Sequence, residues 1–137
     1  MANLLAPIVA LAAWTHIMWF WMYTTRIPAM RAARMRLDRD APRGAQMATL
    51  PPAVRWKADN YNHLMEQPTV FYAVAIVAAL ADPDGTNQAL AWAYVGLRVA
   101  HSLVQSLVNN IMLRFSVFAL SSLVLMALTV RVGLVVF

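Results

Sequence analysis

The chain has 137 residues, 61% of them hydrophobic, and a mean hydropathy of +0.57. A soluble domain is roughly half apolar, so length and composition describe one small and unusually oily domain. There is no cysteine, which excludes disulfides and thiolate metal sites. The net charge of +5 raises nucleic acid as a partner, but eight of the eleven basic residues fall between Arg26 and Lys57, in the connection between two apolar segments. That placement marks a cytoplasmic membrane loop, and no nucleic-acid partner is expected.

Four apolar segments follow in chain order. The first, LLAPIVALAAWTHIMWFWMYT, has about the twenty residues that a bilayer requires. Trp19, Trp21 and Tyr23 at its far end, followed by Arg26, form an aromatic belt and a basic stop. With no basic region before it, the segment reads as a retained span and not as a signal peptide. Open segments satisfy their backbone in lipid only as helices, so helices are expected at about 3–25, 53–81, 87–110 and 113–136. The basic loop 26–52 is expected on the cytoplasmic side, partly helical at RAARMRLDR, and DPDGTNQ at 82–88 forms a short acidic turn on the other side. Both termini then lie away from the cytoplasm. The fold class is all-α: an integral membrane four-helix bundle, a single transmembrane domain over 1–137, with membrane lipid around it.

The second and third segments carry polar residues at membrane depth. From Pro68 to Ala81 the apolar run spans about 21 Å, short of the roughly 30 Å hydrocarbon core. The helix therefore continues backward, taking Glu66 and His63 into the membrane, and Pro68 invites a kink because it removes the hydrogen bond to Leu64. In LRVAHSLVQSLVNN, Arg98, Ser102, Gln105 and Asn109 share one helical face, with His101 beside them. Counted from the shared turn, Glu66 lies about 22 Å deep and Arg98 about 18 Å. An unpaired arginine there costs a few kcal/mol on insertion scales, so a Glu66–Arg98 pair is expected, heading a polar groove between the two helices. Such residues serve either as interhelical glue or as a site. His63, Glu66 and His101 lack the spacing of a metal motif, and no metal is expected.

RWKADNYNHLMEQPTVFY at 55–72 and RVAHSLVQSLVNNIMLRFSVF at 98–118 resemble the MAPEG superfamily in its bacterial-type members, a group that includes microsomal glutathione transferase. The resemblance covers essentially the whole chain. It implies a homotrimer of four-helix protomers, with active sites between neighbours and glutathione as cosubstrate. On that carry-over Arg55, Asn62, Glu66 and Arg98, with His101 beside them, bind glutathione, and Arg114 sits by its sulfur as the catalytic residue. A guanidinium there stabilises the thiolate, and arginines suit a ligand with two carboxylates.

Two positions depart from the pattern. Met65 stands where the Asn–x–x–Glu–x–x–Pro pattern has its acid, and Glu66 is one step on, a rotation of about 100°. Gln105 stands where glutathione-using members often have a tyrosine. The resulting reading is a glutathione-dependent transferase or peroxidase acting on a lipophilic electrophile, in a bacterial inner membrane. A non-catalytic lipid-binding protein of the same fold, or an accessory subunit of a larger membrane complex, is the alternative.

Overall fold

The structure is a computed structural model and describes residues 3–137. Helix α1 covers Leu5–Ala32, α2 covers Pro52–Leu64, α3 covers Pro68–Ala81, α4 covers Gly85–Leu103 and α5 covers Ile111–Val136. Helices α2 and α3 run on as a rod of 30 residues, so the bundle has four rods. At 1.5 Å per residue that rod is about 45 Å long, more than a bilayer core requires.

Each rod turns a narrow stripe inward. On α1 the buried residues are Pro7, Leu11, Thr15, Met18 and Met22, and on α5 they are Ser121, Leu125, Leu128 and Val132. Both sets repeat at three and four residues, the period of one helical face. The outward faces are also apolar: Val9, Ile17 and Phe20 on α1, and Leu123, Met126 and Leu134 on α5, are all exposed. A helix apolar all round in a bundle this thin has lipid as its solvent. Three rods, Leu5–Ala32, Pro52–Ala81 and Ile111–Val136, are long and apolar enough to cross a membrane. Helix α4 falls short of that description because it carries Asn87, Arg98, His101 and Ser102, and all four are buried against its neighbours.

The core is built from small residues and one aromatic stack. Ala75, Ala78 and Ala91 are fully buried and let the backbones approach. Phe71 of α3 stacks on Tyr94 of α4 at 4.6 Å. Gln67, in the break between α2 and α3, donates to the Ser122 hydroxyl of α5 at 2.8 Å and accepts from the Tyr94 hydroxyl at 3.2 Å. One amide thus ties three rods at the point where the backbone ladder is interrupted.

Several boundaries differ from those expected. Helix α1 passes the expected end near residue 25 and carries Pro28 within it before stopping at Ala32. Of RAARMRLDR only the first residues are helical. Arg34 takes a left-handed φ of 49°, which ends the helix, and the one regular piece in the rest of the connection is a 3-10 turn at Met47–Thr49. The kink before Pro68 is a break: Met65 and Glu66 donate to Asn62 and His63, and Thr69 to Glu66, three residues back instead of four. The third rod ends in a π turn, Val104–Val108, closed by Asn109 N–H donating to the Val104 carbonyl at 2.6 Å.

At the opposite end of the bundle, Asp84 caps α4 by accepting from the Thr86 backbone at 3.0 Å, and it pairs with Arg131 of α5 at 3.0 Å. Arg131 also donates to Asn87, which in turn donates to Asp82. Hydrogen bonds from Thr86 hold the Asp84 carboxyl below the usual carboxylate range. A folded-state value below the free one means that the stabilisation is complete above about pH 4 and is lost as pH falls through the folded value. Arg131→Leu should therefore lower the melting temperature in detergent at neutral pH, with the difference from the parent shrinking on acidification. Circular dichroism melts at several pH values check this.

Candidate functional site

The polar residues of α2 and α4 meet where α2 packs against the π turn that follows α4. Arg98 is the largest fully buried side chain among the described residues, with 0% exposure. Its Nη2 donates to His63 Nδ1 at 2.7 Å and lies 3.4 Å from the His63 carbonyl. The His63 ring stacks on His101, with centroids 4.7 Å apart and planes at 22°. Phe118 of α5 meets His63 edge-on at 5.2 Å and also lies 5.8 Å from the Arg98 guanidinium carbon. His63, His101, Ile111, Arg114, Phe115 and Phe118 line an open cleft of about 200 Å³.

Arg114 is placed by two asparagines. Asn109 adopts the left-handed conformation, φ 50°, which Asn tolerates better than most residues. Its Oδ1 accepts from Arg114 Nη1 at 2.7 Å. Asn110 is the N-cap of α5, accepting from Leu113 N–H at 3.0 Å. The Asn-Asn pair thus stops one helix, starts the next and anchors the guanidinium one turn in.

The expected Glu66–Arg98 pair does not form. Glu66 lies in the break after α2 and is exposed, and Arg98 turns to His63 instead. The reason is the break at Met65–Gln67: residues three apart share a face only in a continuous helix, and the interrupted turn leaves His63 inward and Glu66 exposed. The expected single groove is likewise divided. Arg98, Ser102 and Gln105 are buried together, whereas Asn109, beyond the π turn, is partly exposed and points to Arg114. Of the candidate ligands, one chain brings together Arg98, His101 and Arg114. Arg55, Asn62 and Glu66 lie on an exposed face with Asp59, spaced four, three and four apart along one stripe.

His63 is the central residue that spacing alone undervalues. Its signal is position: it follows Asn60, which is fully buried, by three residues on the inward side of α2. Gln67 is a second such residue, marked only by the neighbouring Pro68. Several atoms in this region are buried and make no hydrogen bond among the described residues: Nε and Nη1 of Arg98, Nδ1 of His101, both polar atoms of the Asn60 amide, and the hydroxyls of Ser102 and Ser106. That is a high density of unpaired polar groups for a native interior. No group of three or more His, Cys, Asp or Glu suited to a metal occurs among the described residues.

A helical membrane bundle with a guanidinium and two imidazoles packed between its inner rods is the class that this geometry defines. The MAPEG family model matches residues 4–134, and the chain belongs to the MAPEG family, a group of membrane proteins of lipid and glutathione metabolism. No curated protein and no solved structure matches the chain.

Proposed function

We propose that the protein is a glutathione-dependent membrane transferase or peroxidase acting on a lipophilic electrophile that arrives through the bilayer. The observation that carries this reading is the buried guanidinium of Arg98. Among the described residues, ion pairs occur only between Arg39 and Asp40 and between Arg131 and Asp84, so Arg98 has an imidazole and a carbonyl as partners but no carboxylate. Two of its nitrogens donate to nothing among the described residues. A cation at membrane depth without a counterion is expensive, and a carboxylate-bearing ligand offsets that cost with charge-assisted bonds.

On this reading Arg98 and His101 hold an anionic part of glutathione. Arg114, fixed by Asn109, sits by the sulfur and favours the thiolate, which attacks the electrophile. The exposed stripe of Arg55, Asn62 and Glu66 completes the site from a neighbouring copy in a homotrimer. That stripe is itself a reason to expect a neighbour, since Glu66 lies mid-rod where lipid is a poor surrounding for a carboxylate. Glutathione enters from the cytoplasmic side of a bacterial inner membrane, with both termini on the other side.

Titration of glutathione into the purified protein in detergent, followed by thiolate ultraviolet absorbance, tests the reading. Saturable thiolate formation is expected. Absence of binding at millimolar glutathione would remove the reading. Binding without thiolate would leave a non-catalytic lipid- or ligand-binding member, and co-purification in fixed stoichiometry with a large membrane complex would leave an accessory subunit.

A further inference from the structure

We infer that Arg98 locks His63 in a single tautomer, with its proton on Nε2, and that this N–H is the neutral hydrogen-bond donor which the cleft offers to the sulfur of its ligand. The identity of the sulfur rests on the glutathione reading, whereas the lock does not.

A guanidinium has five N–H donors and no acceptor. Arg98 Nη2 lies 2.7 Å from His63 Nδ1, so that ring nitrogen contributes its lone pair and carries no proton. The ring proton is then on Nε2, pointing away from Arg98. The same Nη2 reaches the His63 carbonyl at 3.4 Å, so a single nitrogen holds both the ring and the backbone of that residue. Turning the ring over would present a carbon to the guanidinium. It would also have to slide between His101, parallel at 4.7 Å, and Phe118, edge-on at 5.2 Å. Tautomer and orientation are therefore set together.

His63 lines the cleft beside Arg114 and Phe118. Of the polar groups of the third rod, His101 also lines the cleft, on the side given above to the anionic part of the ligand, whereas Gln105, Ser102 and Ser106 are buried in the π turn and the turn before it. His63 Nε2–H and the Arg114 guanidinium are thus two different donors on one cleft, one neutral and one charged. A sulfur held between them receives a hydrogen bond from each as its S–H bond is given up. The proton leaves to water, and no charge accumulates on the imidazole. The buried Arg98 acts through His63 here, as a positioning residue.

Two-bond proton–nitrogen correlation spectra of histidine-labelled protein in micelles read the tautomer directly, with the His63 signals assigned by their loss in His63→Gln. The parent should show His63 with Nε2 protonated and Nδ1 bare, and Arg98→Met should convert it to an exchanging mixture. A Nδ1–H form or a mixture in the parent would overturn the lock. Glutathione should shift the His63 Nε2–H signal, and His63→Phe, which keeps a ring in the stack, should form about tenfold less thiolate at saturation. Glutathione thiolate that leaves that signal unmoved, or is undiminished in His63→Phe, would overturn the donor role. If glutathione does not bind the parent at all, the glutathione reading and the donor role to its sulfur fall together, and the spectrum without ligand still decides the lock.

Discussion

Arg98→Met should leave the protein folded and reduce its affinity for glutathione by about 10- to 100-fold. The two halves of that result have separate causes. Methionine fills most of the space of the arginine stem and removes the desolvation cost of a buried cation; even for paired buried ions, replacement by apolar side chains of similar volume is often neutral or stabilising, by about 1–4 kcal/mol. Against this, His63 Nδ1 loses its partner, and an unpaired buried acceptor costs about 1–3 kcal/mol. The two nearly cancel, so the melting temperature in detergent should move by only a few degrees. The ligand has no such compensation: hydrogen bonds to a charged group contribute about 1.5–3 kcal/mol, and about 1.4 kcal/mol corresponds to tenfold in affinity. Calorimetric titration beside a thermal melt reads both halves. A variant that unfolds in the cold, or one that binds glutathione as the parent does, would make Arg98 a packing element.

The second large effect is expected at Arg114. Arg114→Ala should retain glutathione binding within a few-fold, lose the thiolate absorbance, and slow conjugation of a lipophilic electrophile by about 10²–10³-fold. That is the size seen when one preorganised donor is removed from a developing anion. Arg114→Lys should recover little, because a lysine ammonium cannot both accept direction from Asn109 and present a second planar N–H to the sulfur. Asn109→Ala offers an internal check. It removes the 2.7 Å hydrogen bond to Arg114 and puts a residue less suited to φ 50° at the end of the π turn, so it should depress the rate while leaving the charge in place. Stopped-flow absorbance with saturating glutathione separates thiolate formation from the transfer step. Full thiolate in Arg114→Ala would reassign Arg114 to anchoring the loop end of α5.

Much of the architecture is legible in one dimension. Apolar runs of the right length, the basic connection at 26–52 and the acidic turn at 82–88 require four helical rods, because lipid leaves a chain few other ways to satisfy its backbone. Arg98 stands out in the same way: a cation among Leu, Val and Ala has to be buried in protein. Asn109, read first as a groove residue, is helix punctuation together with Asn110, through the left-handed conformation and the N-cap that Asn favours.

Which polar groups touch was not legible. Depth counting placed Glu66 and Arg98 at similar levels, but depth says nothing about azimuth. The break at Met65–Gln67 resets the rotation of α3 relative to α2 and leaves Glu66 outward and His63 inward. The π turn does the same at the end of α4, where one additional residue in the turn carries Asn109 off the face shared by Arg98, Ser102 and Gln105. Gln67 and Arg131 had no motif to announce them, because each is defined by partners on other rods: Tyr94 and Ser122 for the first, Asp84 and Asn87 for the second. The sequence by itself determined that this chain lives in a membrane and buries a cation there, since solvation alone demands both. The tertiary structure alone decided that the cation faces an imidazole and not a carboxylate, since that choice depends on helix rotation, and a single broken turn changes it by about 100° per residue.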